Sequence, residues 1–190
     1  GELDATRPEI IGCDGVLMSV GYAPAAALLH QAGAEMRFDA ALQQFAVDTL
    51  PCGVFAAGRV NGIYALEDRL RDGVRAGMEA ARHVGFTTAA AVAVARAAIS
   101  PNHPYPIFDH PRAKNFVDFD EDLQLRDFFN AAQEGFDNIE LLKRYTTVGM
   151  GPSQGKLSNM NAIRVLAKLL GKTPGEVGAT TARPFFHPVP

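Results

Sequence analysis

What this 190-residue sequence has little of already narrows it. It holds two cysteines, Cys13 and Cys52, which form no C-x-x-C pair and have no metal-ligand spacing. They read as buried, reduced thiols. A basic surface is also missing: the net charge is −3 and no lysine/arginine cluster compensates locally, which excludes the footprint of a nucleic-acid binder. No apolar run approaches the ~20 residues that cross a bilayer. The alanine-rich stretch from residue 87 is too short and carries Arg96. The opening GELDATRPEIIG lacks the basic-then-apolar order of a secretory leader. Together these absences read as a cytoplasmic chain without a membrane or nucleic-acid partner. There is no G-x-G-x-x-G fingerprint, no nucleophile elbow and no credible acid–base pair, so no catalytic residue and no metal ligand is assigned.

What is present divides at a proline-rich stretch. Residues 14–20 (DGVLMSV) read as a buried, parallel-type strand, and 24–32 as a short helix with Pro24 in its first turn and Gly33 after its end. Residues 35–38 and 45–47 pair as a small antiparallel hairpin. Residues 53–57 (GVFAA) read as a second buried strand that turns at Gly58 into a long helix over 65–84. On that helix Leu66, Leu70, Val74, Met78 and Ala81 share one apolar face. A further helix is expected over 87–99. Pro101, Pro104, Pro106 and Pro111 then break regular structure across 100–115, the expected linker. Beyond it, helices are expected over 123–136, 138–148 and 159–170, with a capping box Thr173-Pro174-Gly175-Glu176 opening a short last one. The fold class is α/β: strands and helices at 1–99, the linker at 100–115, and a small all-α module at 116–190.

The first half is similar to the closing part of the two-dinucleotide-domain flavoproteins. The strand before Gly21-Tyr22-Ala23-Pro24, followed by Gly53-Val54-Phe55-Ala56-Ala57-Gly58 and a helix, carries the resemblance. It implies the C-terminal half of a Rossmann-like dinucleotide-binding domain at 1–99, in which the turn after Gly58 approaches a dinucleotide pyrophosphate, where free N–H groups favour an anion and glycine permits close approach. The residues so implied are Gly58, Arg59, Asn61 and Gly62. Flavin-binding members carry Asp where Arg59 stands, so the resemblance points to NAD here. The fingerprint that opens such a fold is expected upstream of Gly1.

The second half carries the sharper signal. Lys143, Thr146, Gly149, Met150, Gly151, Gln154 and Gly155 reproduce K-x-x-T-x-x-G-M-G-x-C-Q-G-x-x-C, the signature of a helical 2Fe–2S module in opine oxidases and related reductases. The ligand positions are occupied by Val117, Phe119, Ser153 and Ser158 instead. An iron–sulfur cluster needs thiolates, so the module is expected to hold none, with Val117 and Phe119 filling the former site. This version, with KRYTT, GM and QGK-x-SN and the ending EVGATTARPFFHPV, resembles the α subunits of heterotetrameric sarcosine-oxidase-type flavoenzymes.

That resemblance implies an internal slice, before a folate-binding domain, of an oxidoreductase that demethylates sarcosine or a similar N-methyl amino acid. It implies NAD, FMN attached to the β subunit at the α/β interface, FAD in the partner subunit, and further smaller subunits. The isolated chain is then expected to be inactive. The loop 149–158, just before a helix N-terminus, suits an anion. Ser153, Gln154 and Lys156, with Thr146 and Thr147, are the candidates to face FMN. Two other readings are an opine oxidase or related dehydrogenase α subunit, and a non-catalytic scaffold docking a flavoprotein. Asp118, Asp120 and Asp122 mimic the start of a calcium loop, but Leu123 and Phe129 stand where glycine and glutamate are needed. They are expected to cap the helix near Leu123. His103 and His110 are expected to be solvated.

Overall fold

A computed structural model of the chain describes residues 6, 9–15, 17, 21–90, 92–95 and 102–184. The helices are α1 (Ala27–Ala32), α2 (Leu66–His83), α3 (Leu125–Gln133), α4 (Ile139–Thr146), α5 (Asn159–Leu170) and α6 (Pro174–Val177). The strands are β1 (Glu35–Asp39), β2 (Gln44–Thr49), β3 (Phe116–Asp118) and β4 (Leu123–Gln124). Among the described residues they form two separate antiparallel pairs, β1 with β2 and β3 with β4.

The helical part folds as its signals specify. Asn138 caps α4 by accepting from Leu141 N at 3.0 Å. Thr173 and Glu176 form the reciprocal box that opens α6. Gly171 closes α5 in the left-handed region. Phe128 and Ala131 of α3, Ile139 and Leu142 of α4, Ala162, Ile163 and Leu166 of α5 and Val177 of α6 make one buried core. Phe45 of β2 joins this core, with Phe38 edge-on to it at 5.4 Å. The hairpin therefore packs against the helical module and meets α6.

Several expectations change. Residues 54–57 are not part of a strand, although Ala56 is buried. The strand expected over 14–20 falls largely outside the described residues, since 16 and 18–20 are not described. The helix expected over 87–99 is not formed at 87–90 or 92–95, and 91 and 96–99 lie outside the described residues. Pro24 precedes α1 and is not in its first turn. On α2 the apolar residues Leu66 (62 % exposed), Leu70 (65 %) and Val74 (54 %) face solvent. The opposite side is pulled onto the Gly58 turn, because Asp72 and Arg75 bond to it. Cys13 and Cys52 are exposed, not buried.

The stretch 102–115 is irregular, as its prolines require, yet it is docked. Asn102 is buried, donates to Leu42 O at 2.9 Å, and accepts from Tyr22 N at 2.5 Å. The Lys168 ammonium lies 4.2 Å from the Tyr105 ring centroid. The two histidines act as local acceptors. His103 Nδ1 takes Tyr105 N, and His110 Nδ1 takes Arg112 N and Ala113 N.

Candidate functional site

The loop between α4 and α5 is held by acids from the end of β3 and the turn after it. Asp118 is 2 % exposed. Its Oδ2 accepts from Gly149 N at 2.8 Å and from Ser158 Oγ at 2.9 Å, which fixes both ends of the loop. Asp120 Oδ2 accepts from Ser153 N at 2.7 Å in the middle. Those bonds to Ser153 hold the Asp120 carboxyl below its ordinary range. Tight turns complete the loop, Gln154 N to Gly151 O at 2.8 Å and Lys156 N to Ser153 O at 3.1 Å. Gly155 has a positive φ, and a Cβ there would collide with Asn159.

The acids were expected to cap α3, and that expectation is corrected here. The α3 cap is Gln124, with Asp127 reaching back to the Gln124 N–H at 2.8 Å. Asp118 and Asp120 are drawn away because the loop offers unpaired backbone donors. The filling role given to Phe119 also fails. Val117 is half-buried against the core, but Phe119 is 81 % exposed, its ring 5.3 Å from that of Phe116. The four positions present one aliphatic, one aromatic and two hydroxyl side chains, a donor set that does not fit an iron–sulfur cluster.

A cleft of about 680 Å³ lies against this loop, between α1, α5 and residues 179–184. Gln154 and Lys156 line it, as do Met150, Met160, Ile163 and Phe45. Thr146, Thr147 and Ser153 are not among the lining residues. Thr146 is buried and donates to Leu142 O at 2.8 Å. Thr147, left-handed at the end of α4, donates to Glu121 Oε2 at 2.8 Å. The cleft adds residues that the sequence did not single out as binding groups: Lys143, Arg183, His30 and Asn159. Lys143 was visible as a motif residue, but nothing local to Arg183 or His30 marks either. Asn159 Oδ1 is buried and has no hydrogen-bond partner. Burial lowers the His30 pKa from its ordinary 6.5, so the ring is neutral at neutral pH.

At the other candidate, a 3-10 turn spans Gly58–Asn61. Its donors turn inward. Gly58 N donates to Asp72 Oδ2 at 2.7 Å, and Asn61 Nδ2 donates to the same oxygen at 3.2 Å and to Ala56 O at 2.9 Å. Arg75 Nε binds Asp72 Oδ1 at 2.7 Å. Burial pushes the Asp72 carboxyl up, but these bonds outweigh it and hold it below its ordinary value. Gly62 is left-handed, and a Cβ there would strike Leu42. Arg59 is exposed, its guanidinium 4.5 Å from the Tyr22 ring centroid.

The arrangement has counterparts among known proteins. In fold, the chain is similar to the crystal structure of L-proline dehydrogenase from P. horikoshii, with a TM-score of 0.66 and 18 % identity over 88 % of this chain and 36 % of that one. The shared fold is thus that of part of a dehydrogenase chain. Residues 112–190 match the sarcosine oxidase A3 domain. The chain is 36 % identical to sarcosine oxidase subunit alpha of Rhizobium meliloti (strain 1021) and 29 % identical to that of Corynebacterium sp. (strain P-1), over 96 % of its own length in each case. It belongs to the sarcosine oxidase α-subunit family. It spans about a fifth of these relatives, 19 % and 20 %. Among the described residues, no helix is long and apolar enough to cross a membrane.

Proposed function

We propose that the chain serves as part of the α subunit of a cytoplasmic, heterotetrameric flavoenzyme that oxidatively demethylates sarcosine or a similar N-methyl amino acid. Its own contribution is to hold cofactors, not to move protons on the substrate. Residues 1–99 act as the closing part of an NAD-binding domain and 116–190 as a cluster-less helical module, joined by 100–115. The observation that carries the reading is the loop 149–158. Acids lock it at positions that the 2Fe–2S resemblance assigns to cluster ligands, and it sets Gln154 and Lys156 on a cleft lined by cationic and apolar side chains.

Such a lining suits FMN, which joins a planar apolar ring to a phosphate. Gln154, Lys156 and Asn159 would hold it. Bound there at the boundary with the β subunit, the flavin supplies the redox chemistry. The residues of this chain orient it and exclude water. Thr146, Thr147 and Ser153 act by position: Thr146 bonds within the last turn of α4, Thr147 bonds Glu121 at its end, and Ser153 bonds the loop to Asp120. On the NAD side, Arg59 is the outward group of the turn. Gly58, Asn61 and Gly62 shape that turn, because Asp72 already occupies the inward amide. The test is Lys156→Met in the assembled enzyme. The expected result is a lower FMN content and turnover; unchanged values of both would remove the FMN role.

A further inference from the structure

Helix α2 is packed the wrong way round for its sequence. Its buried residues are Asp72 and Ala76. Leu66, Leu70, Gly73, Val74 and Gly77 fall within about 100° of arc, a sector that holds no charged residue and has the width of an ordinary core-facing stripe. Yet Leu66, Leu70 and Val74 are each more than half exposed, and the exposed Val84 continues the strip just past the helix end. Large aliphatic side chains that follow one another along a helix, bordered by charged ones, form the kind of patch that marks an interaction surface.

The two glycines define its shape. Glycine inside a helix weakens it relative to alanine. Among the described residues, nothing lies within 4 Å of the place where a Cβ would stand at Gly73 or Gly77. Contacts within this chain therefore require neither glycine. One turn apart on the same sector, they leave a notch beside Leu70 and Val74 where another backbone can come close. The notch repeats at the four-residue spacing of helix ridges, so a helix is the occupant that fits it.

The source of that helix follows from how much of the related subunits lies outside this chain. The chain spans 19 % and 20 % of two related α subunits, and the fold shared with the dehydrogenase covers 36 % of that chain. In each, a unit like this one is embedded in a longer polypeptide. Resting on the reading of 1–99 as the closing part of a dinucleotide-binding domain, we propose that the strip on 66–84 docks a helix from the part of the same α subunit that precedes residue 1. Gly73 and Gly77 mark the point of closest approach.

The experiment uses the whole α subunit assembled with its partner subunits. Val74→Cys on the strip and Arg71→Cys on the charged side are labelled with a maleimide and followed site by site by peptide mass mapping. Arg71→Cys is expected to label freely, and Val74→Cys at least roughly ten-fold more slowly. A diazirine cross-linker carried at position 66 in place of the Leu66 side chain is expected to join a peptide upstream of residue 1 in the same subunit. Gly77→Ala adds a readout of opposite sign: it raises the melting temperature of an open helix and is expected to lower that of the whole enzyme. Equal labelling of the two cysteines, or a Gly77→Ala enzyme that melts higher, would overturn the docking. A cross-link to a partner subunit or to a second α subunit would overturn the assignment of the occupant. NAD binding by the whole enzyme, measured by calorimetry, separates the two readings. A freely labelled strip in an enzyme that binds NAD removes the docking alone; a protected strip in an enzyme that binds none removes the dinucleotide reading alone.

Discussion

Asp118 and Ser158, 40 positions apart, meet at 2.9 Å in a buried hydrogen bond. Ser158 stands where a cluster ligand stands in related modules, and Asp118 lies between two such positions, Val117 and Phe119. Carboxylate–hydroxyl and carboxylate–amide bonds hold the loop here. Removing Asp118 leaves Gly149 N and Ser158 Oγ without their acceptor. Asp118→Ala is expected to cost about 2–4 kcal/mol, and Ser158→Ala about 1 kcal/mol. The two losses are coupled by about 1 kcal/mol in a double-mutant cycle read by urea unfolding. An Asp118→Ala variant as stable as its parent would show that the bond carries nothing.

Val117, Phe119, Ser153 and Ser158 offer no thiolate, and the exposed Cys13 and Cys52 belong to other parts of the chain. Iron analysis of protein purified under reducing, anaerobic conditions is expected to find far less than one iron per chain. Stoichiometric iron with acid-labile sulfide would overturn this.

The helical half was legible because its signals are local. A capping box, an asparagine cap and a three-four apolar spacing each act within one or two turns, and 159–170 came out as α5 to the residue. The first half was harder to read. A short apolar run such as GVFAA reads alike whether or not a neighbouring strand pairs with it, and here it forms no strand. The apolar stripe of α2 was correctly periodic yet faces solvent, because Asp72 and Arg75 decide which side packs. Within the site, Gln154 and Lys156 were found from the motif. His30 and Arg183 were not, since they reach the cleft only through the packing of α1 and 179–184 around α5.

Acid sensitivity should come in two stages. Burial lowers the His30 pKa below 6.5, so between that value and the folded one the unfolded chain binds more protons. Stability is then full above pH 6.5 and declines as pH falls below it. Glu176 and Asp72 are held below their ordinary 4.5 and 3.8, the former by Thr173 bonds and the latter by bonds that outweigh its burial. Their contributions persist above those values and are lost as pH falls through the folded ones. His30→Gln should flatten the first stage in urea midpoints measured from pH 8 to 5 and leave the second intact. A parent midpoint that does not change between pH 7.5 and 5.5 would contradict the desolvated ring.

Gly62 is expected to be irreplaceable for two independent reasons. Its φ of 78° lies in the left-handed region, and a Cβ would meet the Leu42 side chain. Gly62→Ala should cost about 2 kcal/mol or more, above the ~1 kcal/mol of the backbone effect alone. Pairing it with Leu42→Ala separates the two. The double variant removes the clash, so the added loss from the glycine change should shrink toward the backbone part. If the two losses simply add, the contact with Leu42 is not what requires glycine.

Arg164 gives the last prediction, and its sign is unusual. The residue is 7 % exposed, its Nε has no hydrogen-bond partner, and Nη1 reaches only Asn161 Oδ1 at 3.4 Å. Burial lowers its pKa, although a guanidinium stays protonated. A buried cation without a carboxylate keeps its desolvation cost and recovers little of it. Arg164→Met preserves much of the aliphatic packing and removes the charge. It is expected to leave stability unchanged or raise it by about 1 kcal/mol, where most buried substitutions destabilise. Arg164→Glu exchanges the sign without relieving burial and should destabilise strongly. Urea unfolding of the two variants beside the parent decides it: a loss above about 2 kcal/mol for Arg164→Met would mean that the guanidinium is stabilising where it sits.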